Sequence, residues 1–265
     1  MNNLPSAQHN GQPELAFLET QKFRNATEGD LKHSRIQYER GIEYYRKRID
    51  VLEMKDFGDV LDAACGCGQW TLALSDVNGF IRALDINAGL LEIAQCFTRE
   101  YKKKNIQYYQ GDLHFLPFKD ATFDAIFSYS ALMYTNEDKV IKEFSRVLKP
   151  GGKIYVCSDG PGWPLYKVFI QGLKQGRLRS ILGAFRLTIR TFSFVILLKR
   201  HIKKITFLRR KDVERLFKQN NLEITFYGPD GSFGNMKSQH FKPLYGETFF
   251  GLPADFEVIG FKRND

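Results

Sequence analysis

Asp62, Gly66, Gly68, Asp85 and Asp112 are the residues whose types and order suggest chemistry. In the stretch Val60–Thr71 a short apolar run ends in Asp62 and passes into a turn of small residues, Ala64, Gly66 and Gly68. Polar and aromatic residues then open a helix. A strand–turn–helix of this kind lets the backbone approach a nucleotide-like ligand where a Cβ would block it. Asp85 follows just over twenty residues after Asp62, at the end of a second apolar run. A carboxylate there can accept both hydroxyl protons of a ribose. Gly111-Asp112-Leu113 adds an acceptor suited to the exocyclic amine of adenine, with the Leu113 amide for a ring nitrogen and Leu116, Pro117 and Phe118 to wall the ring. A nicotinamide dinucleotide would use similar parts. Its pyrophosphate, however, needs a further glycine where Gln69 and Trp70 stand.

These residues need elements to hold them. Apolar periodicity predicts strands at 59–64, 80–84, 106–109, 123–129 and 153–158, with helices at 69–75, 88–101 and 137–148 between them. Thr135-Asn136-Glu137-Asp138 resembles a capping box, and Leu148-Lys149-Pro150-Gly151-Gly152 reads as a helix terminator. Alternation at this spacing implies a doubly wound, mostly parallel sheet, whose right-handed crossovers gather Asp62, Asp85, Asp112 and Ser128 on one rim. Before the sheet, Tyr38, Ile42, Tyr45, Ile49 and Leu52 mark one face of a helix over Asp30–Met54, with Arg40, Arg46, Lys47 and Arg48 mostly elsewhere around it. It is expected to pack on the core or to cover the ligand as a flap. After residue 206 a helix at 211–219 and strands at 222–227 and 256–262 resume the sheet, the two strands enclosing a polar, glycine-rich loop. The chain thus divides into an N-terminal helical extension (1–55), a cofactor-binding core (56–159), a basic insertion (160–205) and the C-terminal part of the sheet (206–265).

Bulk properties narrow the function. A chain of 265 residues, 43% hydrophobic and 26% charged, is an ordinary globular balance. Four cysteines without framework spacing fit a reducing compartment, and Cys65 and Cys67 lack a second cluster that would complete a metal site. No secretory pattern and no run of membrane-spanning length is visible, so a cytoplasmic location is expected. The net charge of +9 is uneven: no acidic residue lies between Asp159 and Asp212, a window holding thirteen of the 39 basic residues. The remaining basic residues are outnumbered by the 30 acidic ones, so the basicity belongs to one segment.

The motifs resemble the class I S-adenosylmethionine-dependent methyltransferases. Asp62–Gly68 is similar to that family's first motif, Asp85 to its ribose-binding acid, and Gly111-Asp112-Leu113 to its adenine-side motif. Phe123–Ile126 and Leu148–Lys153 are similar to its later strand and helix-end signatures. The resemblance spans about residues 58–158. It implies a Rossmann-like sheet of seven strands with an antiparallel last strand. It further implies S-adenosyl-L-methionine as cofactor and contacts to it from Asp62, Ala64, Gly66, Gly68, Asp85, Ile86, Asp112, Leu113 and Ser128. Ala64 departs from the family by replacing the first glycine of the motif, which narrows the pocket near the methionine end.

Methyl transfer from a sulfonium is an in-line displacement in which the protein mainly positions the acceptor. An oxygen acceptor also needs a base, for which His114, Tyr134 and Asp159 are the candidates near the rim. Two amphipathic helices are read in the insertion. One covers Trp163–Gln175. The other sets Leu178, Ile181, Leu182, Phe185, Ile189, Phe192 and Ile196 on one face and Arg179, Arg186 and Arg190 on another, with an all-apolar run at Phe194–Leu198. This combination suits a lid over the acceptor, a peripheral contact with an anionic membrane at its inner face, or a polyanion surface. The resulting expectation is methyl transfer to a small-molecule or lipid-linked acceptor. An RNA methyltransferase and a non-catalytic cofactor-binding scaffold are the alternatives.

Overall fold

The computed structural model describes residues 13–174, 207–234 and 248–264. The second amphipathic helix and the apolar run read at 178–198 lie outside the described residues.

Three helices lead in: α1 (Pro13–Thr20), α2 (Glu28–Tyr38) and α3 (Ile42–Val51). The last two replace the single helix expected over Asp30–Met54. The break is at Gly41, whose φ of +69° turns the chain out of the helix. The apolar spacing continues across the break, and Tyr38, Ile42, Tyr45, Ile49 and Leu52 are all buried. Arg48 corrects the reading of the basic face, because its side chain is 0% exposed.

The core then alternates: β1 (Asp59–Ala63), α4 (Gln69–Ser75), β2 (Phe80–Asp85), α5 (Ala88–Glu100), β3 (Ile106–Gln110), β4 (Phe123–Tyr129), α6 (Glu137–Val147) and β5 (Leu148–Asp159). After β5 the predicted helix at Trp163–Gln175 is a single α-turn, α7 (Trp163–Tyr166), that widens into π-helix over Lys167–Lys174. The chain is described again through α8 (Arg210–Gln219), β6 (Leu222–Pro229), β7 (Thr248–Phe249), β8 (Leu252–Pro253) and β9 (Asp255–Lys262). The polar loop expected between the last two strands of the sheet therefore contains a hairpin, β7–β8.

Among the described residues one seven-stranded sheet runs β3-β2-β1-β4-β5-β9-β6. All neighbours are parallel except β9, which is antiparallel to both β5 and β6. Alternate side chains feed two cores. Leu61, Ile126, Ile154 and Val258 face α6 and α8. Val60, Phe127, Tyr155 and Ile259 face α1 to α5, where Trp70, Phe97 and Tyr45 pack. With both faces of the sheet covered, the site falls to the strand ends, as doubly wound sheets require.

Candidate cofactor and acceptor site

The turn between β1 and α4 is built by two peptide N–H groups, those of Ala64 and Cys65, which both donate to the Leu84 carbonyl at 2.8 and 3.0 Å. Ala64, Gly66 and Gly68 all take left-handed φ, at +65°, +54° and +86°. The two glycines serve different ends. A Cβ on Gly68 would stand 2.8 Å from the Ala94 Cβ, so Gly68 lets α5 pack against the turn. A Cβ on Gly66 would meet nothing within 4 Å among the described residues, so on that side its backbone faces open space. Ala64 adopts a conformation that favours glycine and rests its methyl against the α6-side core.

Asp85 lies at the end of β2 and is 8% exposed. Its Oδ2 accepts the Gly66 N–H and its Oδ1 the Asn87 N–H, each at 2.8 Å. The carboxylate is therefore aimed at the open side of the turn, with lone pairs left over. Asn87 caps α5 and donates to Asp30 Oδ1 at 2.7 Å. The Tyr38 hydroxyl donates to the Cys67 carbonyl at 3.0 Å. Together these bonds pin α2 over the turn. Ile86, 68% exposed beside Asp85, offers an apolar wall.

The Gly111 N–H donates to the Asp85 carbonyl at 3.0 Å, so Asp112 opens on the same rim. Burial raises the Asp112 carboxyl, but the backbone and ring N–H groups of His114 outweigh this and hold it below its ordinary range. Leu113 is buried beneath. The loop is clamped from α6: the Leu116 N–H donates to Glu143, and Arg146 donates to the carbonyls of Leu116 and Phe118. Phe118 packs inward on Tyr109 and Phe123. The exposed ring of this loop is Phe115, which the sequence reading did not single out.

Asp62 and Ser128 sit under the rim. Asp62 is buried, accepts from the Thr71 hydroxyl at 2.6 Å, and is pushed up to about 7 by burial. Ser128 is buried and donates to the Ala63 carbonyl at 3.0 Å, joining β4 to β1. Both hold the strand ends in place, and neither presents its side chain to solvent.

The three base candidates separate. His114 Nδ1 lies 2.5 Å from Asp112 Oδ1, and Nε2 accepts the Asn136 N–H at 2.8 Å. The proton is therefore on Nδ1, and both ring nitrogens are engaged in joining the β3 loop to the start of α6. Tyr134 ends a 3₁₀ turn at Leu132–Tyr134 and is exposed. Asp159 ends β5, directly opposite Asp255 of β9, and both are buried. Burial pushes the Asp159 carboxyl up to about 7 against the pull of Lys167.

Beside this pair lies a buried polar cluster that the sequence did not reveal. Arg48 of α3 is paired with Glu257 of β9 and is 3.8 Å from Asp230. The Tyr129 hydroxyl donates to Asp230 at 2.8 Å, and that of Tyr155 to Glu257 at 3.1 Å. Trp70 packs on Tyr129. Its partners come from opposite ends of the chain, so no local pattern announces it.

A seven-stranded sheet of this order thus carries a glycine turn and the acids Asp85 and Asp112 on one rim. Residues 61–156 match a family model described as a methyltransferase domain. This part of the chain is therefore similar to methyltransferase domains, in line with the resemblance of its motifs to the class I S-adenosylmethionine-dependent methyltransferases. The chain is 40% identical over 125 residues to the demethylmenaquinone methyltransferase of Lactococcus lactis subsp. lactis, covering 43% of this chain and 49% of that protein. It spans about half the length of the curated relatives it matches. Among solved structures, the YcgJ protein of Bacillus subtilis aligns with a TM-score of 0.55 at 19% identity, over 84% of this chain and 99% of that one. A SAM-dependent methyltransferase of Methanosarcina mazei aligns with a TM-score of 0.53 at 20% identity, over 80% and 94%. These structures share the fold. Among the described residues no helix is long and apolar enough to cross a membrane.

Proposed function

We propose that this protein is an S-adenosylmethionine-dependent methyltransferase acting on a small, lipid-linked acceptor. The observation that carries the reading is the Gly66–Asp85 pair, a carboxylate fixed against a peptide whose outer side is open. The cofactor, when bound, supplies an activated methyl group on a sulfonium. In this reading Asp85 takes the ribose hydroxyls, Ile86 and Leu113 flank the adenine with Asp112 at its amine, and the Gly66 backbone lies along the methionine side. Asp62, Ala64, Gly68 and Ser128 support them from below.

The acceptor enters over the ends of β4, β5 and β9. An oxygen or ring-carbon acceptor gives up a proton as it is methylated, and Asp159 is the carboxylate placed to take it. It lies two residues beyond the Tyr129–Cys157 register pair and has a proton affinity in the neutral range. His114 positions the adenine-side loop instead. The acceptor class rests on the name of the relatives, which act on demethylmenaquinone, a lipid-linked quinone. A cytoplasmic protein in peripheral contact with an anionic membrane suits such an acceptor, as does the acid-free basic window.

Incubation with isotopically labelled methyl donor and fractionated lysate tests this. Label is expected in the lipid fraction. Label in RNA would favour the polyanion alternative, and no transfer despite cofactor binding would leave a scaffold.

A further inference from the structure

The hairpin β7–β8 pairs Thr248 with Pro253 and Phe249 with Leu252, leaving Phe250 and Gly251 as its two-residue turn. Both turn residues have left-handed φ, +51° and +77°. Turns of this kind are normally filled by Asn-Gly or Asp-Gly, because a bulky side chain is disfavoured in that conformation. Here a phenylalanine is held in it with its ring 89% exposed. Strain without compensating burial points to a use outside the chain.

The surroundings point the same way. Phe249 stacks on Phe169 at 5.9 Å between ring centroids, and Phe169 and Leu252 are themselves exposed. The hairpin is seated on the segment following Asp159: Gly160 N–H donates to the Ala254 carbonyl at 2.6 Å, and Gly162 N–H to that of Pro253 at 2.9 Å. A Cβ on Gly160 would stand 2.4 Å from the Pro253 oxygen, so this close seat requires glycine. Phe169, Phe249, Phe250 and Leu252 thus form an apolar ridge beside the acceptor end of the sheet. Basic charge lies on its Phe169 side, while Glu247 precedes the hairpin in sequence. Lys167 lies 5.4 Å from the Trp163 ring on the same segment, and that segment opens the window without acidic residues. Exposed aromatic rings with a lysine on the same segment are what an anionic bilayer interface favours.

We propose that the Phe249–Phe250 hairpin tip, with Phe169 and Leu252, inserts into the interface of an anionic phospholipid membrane and turns the acceptor mouth beside Asp159 toward the bilayer. The docking stands on the ridge itself. Its purpose rests on the lipid-linked acceptor reading.

The test is co-sedimentation of the full chain with phosphatidylcholine vesicles, with and without phosphatidylglycerol, for wild type and Phe250→Asn. Asparagine accommodates the left-handed turn. The variant is therefore expected to melt no lower than wild type while binding phosphatidylglycerol vesicles about tenfold more weakly or worse, as loss of a buried phenyl ring implies. Undiminished vesicle binding by the variant would overturn the proposal. So would a wild type that ignores vesicles but loses RNA retention on the same substitution. Phe250→Trp gives a second readout: its emission should shift to the blue on phosphatidylglycerol vesicles, and an unshifted spectrum would contradict insertion. Binding that depends on Phe250 with no label entering lipid would keep the docking and remove the acceptor reading. Label in lipid with full vesicle affinity in the variant would do the reverse.

Discussion

The Gly66 N–H donates to Asp85 Oδ2 at 2.8 Å, tying the turn after β1 to the end of β2. The bond fixes a carboxylate against a peptide that has no neighbour within 4 Å on its Cβ side. Packing among the described residues does not use that space, which is why the pair reads as a ligand cradle.

Gly66→Ala and Gly68→Ala should therefore part company. The first adds a methyl into open space and should cost about 1 kcal/mol of stability from the left-handed φ alone, while weakening cofactor binding. The second drives a Cβ to 2.8 Å from that of Ala94 and should cost more, on the order of 1–3 kcal/mol beyond the backbone term, through overpacking. Urea unfolding beside cofactor titration of both variants checks the contrast. Equal losses of stability would remove the distinction.

Ala64→Gly tests the departure from the family motif. Ala64 holds a φ of +65°, which glycine adopts without strain. The variant should be unchanged or up to about 1 kcal/mol more stable, since relief of strain competes with the greater freedom of the unfolded chain. A large loss in denaturant unfolding would show that the methyl's packing against the core outweighs the strain.

Much of this rim was legible in advance, because strand periodicity and strand-end acids are local signals. Asp62 pairs with Ala83 and Ala63 with Leu84, so Asp85 stands one residue past the last register pair, at the same end of the sheet as the glycine turn. What was missed was nonlocal or went against local preference. Gly41 breaks a helix whose apolar spacing runs on without interruption, so the sequence shows one element where there are two. Arg48 looks like a surface residue until its partner Glu257, 209 positions later, comes into contact. Phe250-Gly251 lacks the residues that announce a tight hairpin. His114 reads as a base from its type, and only the fold shows both of its nitrogens engaged.

The Arg48–Glu257 pair gives a stability prediction. Removing one partner of a buried pair strands the other charge, so Arg48→Met should cost about 3–5 kcal/mol. Adding Glu257→Leu should recover part of that loss. Chemical denaturation of the single and double variants decides it; strict additivity would mean the two do not act as a pair.

Asp62 gives a pH dependence. Its carboxyl is raised to about 7 in the folded protein against an ordinary value of 3.8. Between those values the folded state binds more protons than the unfolded state. Asp62 therefore contributes its stability below the lower value, and the contribution is lost as pH rises toward the upper one. Asp62→Asn keeps an acceptor for the Thr71 hydroxyl and should flatten this fall. Melting temperatures across the interval test it, and a wild-type slope retained in the variant would assign the dependence elsewhere, with Asp159 the next group to examine.

The most direct measurement is calorimetric titration of S-adenosylmethionine into wild-type protein and Asp85→Ala, with circular dichroism on both. Saturable binding by the wild type, and a loss of about a hundredfold or more in a folded variant, is the predicted result, since two charge-assisted hydrogen bonds are removed. Wild-type affinity in Asp85→Ala would contradict the assignment of this rim as the cofactor site.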